Sequence, residues 1–312
     1  MAVIGIKAIS VEIPETRVQT APMAERLQID DTTLNDRIGV KRIARKDPGQ
    51  DTSDLCIAAA HKLFAGGAVR PDDVDCLIVV TQNPDGYGLP QTSSIIHGRL
   101  RLSENCAAFD IGLGCSGFVY GLAVAKAFME AQGLRCGLLC TADPYSKIID
   151  ENDRRTALLF GDAAAVTLLT GDPVWHIGRF DMGTSGSRGD VLEVSRHRNG
   201  KLYMDGRAVL AFCKDRVPHS ILRALQLNGT TLDAIDRIVL HQGSRVVIDS
   251  IGEALGAPEK CMFYAADYGN TVSSSIPVIL QQNVPSSDQR LLISGFGVGL
   301  SWASTVLTRS AA

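Results

Sequence analysis

The stretch Phe109-Asp110-Ile111-Gly112-Leu113-Gly114-Cys115-Ser116-Gly117-Phe118-Val119-Tyr120-Gly121 decides the fold. It predicts a strand over 106–111, a glycine-lined turn and a helix that runs to about residue 131. The helix is apolar on nearly every face, which is typical of a buried helix. Cys115 lies at its first turn, where free backbone N–H groups and the helix dipole favour negative charge. This position predicts a lowered thiol pKa and a nucleophilic cysteine, although a free cysteine in such a helix is often only part of the core.

The composition of the chain excludes several classes of protein. The eight cysteines form no CxxC pair and no cluster with histidine, which predicts a reducing compartment and no metal site. A net charge of -3 with both signs mixed indicates neither nucleic acid nor an anionic membrane as the main partner. No apolar run approaches the roughly 18 residues of a membrane span, and the amino terminus lacks a signal-peptide layout. We therefore expect a cytoplasmic protein.

The second part of the chain repeats the pattern of the first. Three pairs of segments match in kind: 73–82 with 234–242, 109–112 with 266–269, and 137–141 with 291–294. This repetition predicts a duplicated β-α-β unit, with one half over 1–170 and the other over 171–312. Alternating strands and helices predict mainly parallel sheets covered by helices. Two such halves would bring strand ends and helix starts to a shared crevice, where ligands bind.

The remaining segments are less informative. Residues 158–169 predict a glycine-alanine turn that leads into an edge strand, and residues 209–225 predict an amphipathic helix. Between them, residues 171–206 are the most polar and least periodic part of the chain. We expect that region to be a connection between the two halves.

Two further side chains become candidates if the halves meet at one crevice. His241 ends a buried strand, and Asn270 follows the repeat equivalent of the turn before Cys115. Each alone has a structural explanation, since a histidine at a strand end is usually hydrogen-bonded structure and Gly-Asn is usually a turn. The glycine run over 294–302 is either a hairpin or a backbone that presents N–H groups to an oxyanion.

These motifs together resemble a known family. Gly-Cys-Ser-Gly on a central helix, a later His-Gln, Gly-Asn-Thr followed by Ile-Pro, and a final Gly-Phe-Gly-x-Gly-x-Ser-Trp are similar to the β-ketoacyl-acyl carrier protein synthase III group of the thiolase superfamily. The resemblance spans essentially the whole chain. It implies a thiolase-like five-layered αβαβα sandwich built from two similar halves, usually as a homodimer. The half over 1–170 would carry the cysteine, and the half over 171–312 the histidine and asparagine.

The resemblance also implies a reaction, a decarboxylative Claisen condensation without a cofactor. Cys115 would take an acyl group from an acyl-CoA as a thioester, and the N–H groups of Cys115 and Val298 would hold the oxyanion. His241 and Asn270 would donate hydrogen bonds to a malonyl thioester as carbon dioxide leaves. Decarboxylation itself makes the carbanion, so no strong base is needed.

Substrate-binding residues follow from the same resemblance. Arg37 and Arg154 match positions that meet the nucleotide end of CoA, and their guanidinium groups suit phosphate recognition. Leu89 matches a loop position that reaches the acyl pocket of the second copy in a dimer. Phe296 matches a position near the nucleophile.

The chain departs from the family pattern at several places. Arg245, which matches the arginine associated with carrier-protein docking, is shifted by one residue, and Ser244 stands where an asparagine is common. Thr33 lies where an aromatic often stacks on adenine, and Val298 replaces a glycine. These departures leave open whether acyl carrier protein or CoA carries the extender, and which primer is used.

Other functions remain as alternatives. A non-condensing acyltransferase would pass the acyl group from Cys115 to a hydroxyl, an amine or another small acceptor. A type III polyketide synthase shares the three residues but is normally longer. A cysteine hydrolase of the α/β type needs Gly-x-Cys-x-Gly, and Leu113 breaks that pattern. A binding subunit without activity would have little reason to hold all three side chains.

Overall fold

The computed structural model describes residues 3–195, 197 and 199–311. The strands are β1 (Gly5–Glu12), β2 (Arg17–Gln19), β3 (Arg42–Ala44), β4 (Cys76–Val80), β5 (Ala107–Ile111), β6 (Cys136–Ala142), β7 (Ala164–Thr170), β8 (Trp175–Thr184), β9 (Leu192–Val194), β10 (Leu202–Met204), β11 (Arg237–Leu240), β12 (Arg290–Gly297) and β13 (Ser301–Arg309). The helices are α1 (Thr20–Arg26), α2 (Thr52–Ala65), α3 (Thr92–Leu100), α4 (Gly117–Gln132), α5 (Gly206–Leu227), α6 (Arg245–Leu255) and α7 (Ser275–Gln282).

The main sheet has the strand order β11-β12-β13-β8-β1-β7-β6-β4-β5. In it β4 runs parallel to β5 and β6, and β11 runs parallel to β12, whereas every other described pair is antiparallel. The expectation of mainly parallel sheets is therefore wrong. One physical reason is the connection between β12 and β13, because the three residues 298–300 are too few for a parallel crossover.

The two halves have the same strand order. The order β5-β4-β6-β7-β1 in the first half corresponds to Cys261-β11-β12-β13-β8 in the second, where Cys261 bridges to Ile238 in place of an edge strand. The halves join where β1 and β8 pair over only two positions. The repeat seen in the sequence therefore exists at the level of topology. The boundary between 170 and 171 stays a prediction.

One pairing in the predicted repeat is wrong. Residues 266–269 do not match β5, because they form the end of a single 3₁₀ turn, Ala265–Asp267, and the residues after it. The carbonyl oxygens of Ala266 and Tyr268 accept hydrogen bonds from the N–H groups of Lys41 and Ala44. This segment is thus bound to the loop around β3 and not to the main sheet.

The helices form three layers around the two halves of the sheet. The central layer consists of α4, which packs on β4, β6, β12 and β13, and α7, which packs on β1, β7, β11 and β12. One outer layer, α2 and α3, covers the first half, and the other, α5 and α6, covers the second. The largest described core surrounds α4, with Phe118, Leu122 and Met129 fully buried. The predicted αβαβα sandwich is confirmed.

Two predictions about local structure are wrong. The strand after residue 158 is not at an edge, since β7 lies between β1 and β6. The segment 171–206 is more than a connection, because it contains β8, which lies between β13 and β1. Along β8 the burial alternates only partly, so its sequence lacks the apolar run of a fully buried strand. None of the helices in the described part of the chain has the length and apolarity that crossing a membrane requires.

Candidate active site

The position of Cys115 is fixed by the close packing of α4 on the sheet. Cys115 lies in the turn between β5 and α4, two residues before the first helical residue, Gly117. The N–H of Gly117 donates to the carbonyl of Gly114 at 2.7 Å and closes this turn. Gly117 has no room for a side chain, because Val80 of β4 occupies that space. The thiol is therefore held at the carboxyl end of the sheet.

The glycine run of the β12–β13 hairpin approaches this turn. A Cβ on Gly297 would lie 2.6 Å from the Cβ and 2.7 Å from the Sγ of Cys115. The backbone N–H of Val298 donates to the same sulfur. Next to it, the hydroxyls of Ser116 and Ser301 are 2.7 Å apart. The run is thus both a hairpin and the backbone that faces the nucleophile.

The ionisation of Cys115 differs from the expectation. Burial raises the pKa of its thiol to about 12, and the hydrogen bonds from the N–H groups of Val298 and Cys115 offset only part of that rise. The predicted lowering of the thiol pKa is therefore wrong, because loss of hydration outweighs the backbone donors at this depth. Cys115 is a protonated thiol with an exposed fraction of 5%.

His241 follows β11, and its N–H donates to the carbonyl of Ser294 at 2.8 Å. Its Nδ1 lies 2.8 Å from the hydroxyl of Ser275, the first residue of α7. The ring of Phe296 meets the imidazole edge-on, with 5.6 Å between centroids. Burial lowers the pKa of His241 to about 4, so the imidazole is neutral at physiological pH.

Asn270 is fixed by both its backbone and its side chain. Its backbone N–H donates to the carbonyl of Leu159 at 2.8 Å, and its backbone carbonyl accepts from the N–H of Gly161 at 2.9 Å. Its side-chain Oδ1 accepts from the N–H of Val272 at 2.9 Å. Because the oxygen is held by that bond, the amide nitrogen is the end left to donate elsewhere.

The three side chains line one cavity of about 600 Å³. Cys115 comes from the turn before α4, His241 from the end of β11 and Asn270 from the turn before α7. Cys115 is more than 100 residues from the other two in the sequence. Four arginines of the described part of the chain also line this cavity: Arg37, Arg154, Arg155 and Arg207. The cavity therefore joins a buried thiol, a neutral imidazole and a carboxamide to a cationic region.

The other predicted site residues are not all in this cavity. Phe296 lines it together with Arg37 and Arg154, and the guanidinium of Arg154 donates to the carbonyl of Gln28 at 2.5 Å. Val298 lies beside it, at the sulfur. Leu89 does not line it: its side chain is 91% exposed. Its predicted contact with a second copy stays a prediction.

Sequence reasoning missed several residues that the structure brings to the site. Arg155 and Arg207 are ordinary surface charges by sequence, and Ser275 is one of a run of small residues. Cys213 of α5 is a second thiol in the cavity, and burial raises its pKa. The close contact at Gly297 could have been expected from the spacing of Gly295, Gly297 and Gly299. Alternate residues of a strand lie on the same face, so alternate glycines leave that face without side chains and allow another segment to approach.

Comparison with known proteins agrees with this geometry. The family model for 3-oxoacyl-[acyl-carrier-protein] synthase III matches residues 109–186, and the model for its C-terminal part matches residues 225–309. The chain belongs to this family. Family membership makes it an enzyme, an acyltransferase of the condensing type.

Individual relatives match over most of their length. A β-ketoacyl-[acyl-carrier-protein] synthase III of Streptococcus equi subsp. zooepidemicus is 34% identical over 301 residues, which are 90% of this chain and 92% of the relative. The crystal structure of the Thermus thermophilus β-ketoacyl-[acyl-carrier-protein] synthase III superposes with a TM-score of 0.90 at 32% identity, covering 99% of this chain and 100% of that one. The priming β-ketosynthase of the R1128 polyketide pathway superposes with a TM-score of 0.89 at 25% identity, covering 99% and 96%.

Proposed function

We propose that this family member condenses an acyl-CoA primer, held on Cys115, with a malonyl thioester to give a β-ketoacyl product. The observation that carries the proposal is the convergence of Cys115, His241 and Asn270 on one cavity with an arginine-lined side. A thiol accepts the acyl group, and two neutral hydrogen-bond donors suit an enolate oxygen. In this proposal the two acyl thioesters are substrates and no cofactor takes part.

Acylation forms a new thioester on the protein. The sulfur of Cys115 attacks the carbonyl carbon of the acyl-CoA, the carbon–sulfur bond to CoA breaks, and the thiol proton passes to the CoA sulfur. The N–H of Val298 and the N–H of Cys115 stand next to the attacking sulfur and so face the oxyanion of the tetrahedral intermediate. Because protons balance across the step, a buried protonated thiol is a suitable starting state.

Condensation then uses the second pair of donors. The bond from the malonyl carbon to its carboxylate breaks, carbon dioxide leaves, and the electron pair moves onto the thioester oxygen as an enolate. His241 through Nε2 and Asn270 through Nδ2 donate to that oxygen. The enolate carbon attacks the thioester carbon on Cys115, and the sulfur of Cys115 leaves as a thiolate. This thiolate takes one proton from solvent, which restores the thiol.

The hydrogen bonds around both donors support these roles. The Ser275 hydroxyl lies 2.8 Å from Nδ1 of His241 and also donates to the carbonyl of Val272 at 3.0 Å. Donation to the enolate requires the proton of the neutral imidazole on Nε2, so that Nδ1 accepts from Ser275 when the enolate forms. The bond from Val272 to Oδ1 of Asn270 likewise directs the amide nitrogen away from the backbone. Asn270 is therefore ordered as a donor and the ring of His241 is held in position before substrate arrives, which limits the reorganisation needed in the transition state.

Carriers and partners are part of the same proposal. Arg37, Arg154, Arg155 and Arg207 present guanidinium groups that suit the phosphates of CoA. Acyl carrier protein is the proposed carrier of the extender, because the similar curated proteins are named for it. A homodimer in the cytoplasm is the proposed state of the chain, with the exposed Leu89 at the contact between copies.

The test follows each half of the reaction separately. Intact-mass measurement after incubation with acyl-CoA should show one acyl adduct, which Cys115→Ala removes. Cys106→Ala is the matched control, since Cys106 is a buried thiol that does not line the cavity, and it should keep the adduct. Release of labelled carbon dioxide from a carboxyl-labelled malonyl thioester then tests condensation. An adduct that survives in Cys115→Ala would overturn the proposal.

A further inference from the structure

A second, smaller cavity of about 230 Å³ lies beside the nucleophile. Val298 lines it, and the N–H of Val298 donates to the sulfur of Cys115. Leu192 lines both this cavity and the larger one that contains Cys115. An acyl group on the sulfur that extends away from the arginines therefore has this smaller cavity in front of it.

The walls of the smaller cavity are only partly apolar. Ile148, Leu192 and Leu202 supply aliphatic surface, whereas Tyr145 and Gln82 supply a hydroxyl and an amide. Tyr145 belongs to the same buried cluster as Cys115. Its ring packs against Phe160 with 4.9 Å between centroids. The phenol therefore has a fixed position within the apolar surroundings of the nucleophile.

The hydroxyl of Tyr145 and the amide of Gln82 form a pair with unused hydrogen-bonding capacity. The Tyr145 hydroxyl donates to Oε1 of Gln82 over 3.3 Å, which is long for an O–H···O bond. The phenolic oxygen can still accept, and within the described part of the chain the Gln82 amide nitrogen donates no hydrogen bond. The pair thus offers both a donor and an acceptor to a group in the cavity.

Gln82 is held in place next to the nucleophile's own turn. Its backbone N–H donates to a carboxylate oxygen of the buried Asp143 at 2.7 Å. Its side-chain oxygen occupies the space beside Gly114, where a Cβ would collide with it. The polar end of the cavity therefore packs against the turn that carries Cys115.

An unsubstituted alkyl chain would cover these polar groups without giving them a partner, which costs free energy. A hydroxyl on the chain would replace the water they lose. We propose that Tyr145 and Gln82 are specificity-determining residues that make the enzyme prefer a primer whose short acyl chain carries a hydroxyl group. This inference rests on the proposed function, because it concerns the acyl group that Cys115 accepts.

The test compares primers that differ by one oxygen. The rate of Cys115 acylation is measured by intact mass with butyryl-CoA, 3-hydroxybutyryl-CoA and 4-hydroxybutyryl-CoA. For the native chain we expect one of the hydroxylated primers to react about tenfold faster than butyryl-CoA, the range of a neutral hydrogen bond. Tyr145→Phe and Gln82→Leu should bring that ratio close to one. The exposed position of Gln82 makes Gln82→Leu tolerable to the fold.

Tyr120→Phe is the matched control, because Tyr120 also donates over 3.3 Å, to Gly183, and lines neither cavity. It should keep the native ratio. Equal rates with all three primers in the native chain, or a preference that persists in both pocket variants, would overturn this inference alone. Failure of every acyl-CoA to label Cys115 would overturn the proposed function and this inference with it.

Discussion

Burial and backbone N–H donors have opposite effects on the pKa of the Cys115 thiol. Burial raises the thiol pKa to about 12, and the donors from Val298 and Cys115 only moderate that effect. The same donors gain importance as the sulfur attacks the acyl-CoA carbonyl, because they then face a developing oxyanion in surroundings that exclude water. We therefore attribute acylation to stabilisation of the transition state and not to a thiolate that exists beforehand.

Asn270 provides the sharpest test at the level of one residue. Asn270→Ala should lower the rate of carbon dioxide release by about 10²–10³, the usual loss for one oxyanion donor. Asn270→Asp should lose as much, because it keeps the acceptor for the Val272 N–H but has no amide nitrogen to donate. Release of labelled carbon dioxide measures the loss.

Acylation of Cys115 is the internal control for both Asn270 variants. Intact mass should still show the acyl adduct, because the proposed oxyanion donors of that step belong to Cys115 and Val298. Loss of the adduct in both variants would contradict the division of roles between the two pairs of donors. A normal rate of decarboxylation in Asn270→Asp would contradict the role of its nitrogen.

At the level of elements, the β12–β13 hairpin depends on one glycine. Gly297 has a φ of +154°, and a Cβ there would lie 2.7 Å from the sulfur of Cys115. Gly297→Ala should therefore displace the nucleophile by a fraction of an ångström to one ångström, which can cost about 100-fold in rate. The acylation rate by intact mass measures this loss.

Gly186→Ala is the control for the glycine substitution, since nothing lies within 4 Å of a Cβ at that position. It should acylate at the native rate. Circular dichroism and the midpoint of denaturant unfolding should show that Gly297→Ala remains folded. Native acylation by Gly297→Ala would show that the hairpin can move away from Cys115, against the close contact described here.

Elements with a strong local pattern could be predicted from the sequence, and those that depend on distant partners could not. The prediction of a strand over 106–111 and of a helix that runs to about residue 131 agrees with β5 and α4, because apolar runs and glycine stops are local signals. β8 was missed, since it owes its place to β1 and β13 rather than to its own periodicity.

The same distinction between local signals and distant partners applies to the candidate site. Cys115, His241 and Asn270 could be proposed from their motifs and the family resemblance these carry, although the repeat pairing of 266–269 with 109–112 is wrong. The raised thiol pKa could not, because it depends on how deeply tertiary packing buries the sulfur. The same holds for Tyr145 and Gln82, which lie more than 60 residues apart and meet only in the fold.

At the level of the whole molecule, the two halves meet around a buried carboxyl group. Asp143 follows β6 and is fully buried. It accepts from the backbone N–H of Gln82 in the first half at 2.7 Å, and the polar groups of Ser273, just before α7 in the second half, face it. Burial raises its pKa to about 7, although Ser273 and Gln82 act to lower it. A carboxyl group that titrates near neutral pH therefore lies at the contact between the halves.

The sign of this dependence is fixed by the two pKa values. The folded state holds the Asp143 proton up to about pH 7, whereas the unfolded chain releases it near 3.8, so this group makes the folded state less stable as pH rises from about 4 to 7. The variant Asp143→Asn carries an amide that cannot be deprotonated, and its side-chain oxygen can still accept from Gln82. The free energy of unfolding of this variant relative to the native chain should therefore increase between pH 4 and pH 8, by roughly 1.4 kcal/mol for each unit of pKa difference.

Denaturant unfolding at several pH values measures this difference. Asp72→Asn, at an exposed position before β4, removes one charge without changing the contact between the halves. Its free energy of unfolding relative to the native chain should not rise between pH 4 and pH 8 as that of Asp143→Asn does. A difference for Asp143→Asn that stays constant with pH would show that Asp143 is ionised in the folded protein. The Gln82 N–H and the polar groups of Ser273 would then stabilise a carboxylate between the halves and outweigh the cost of its burial.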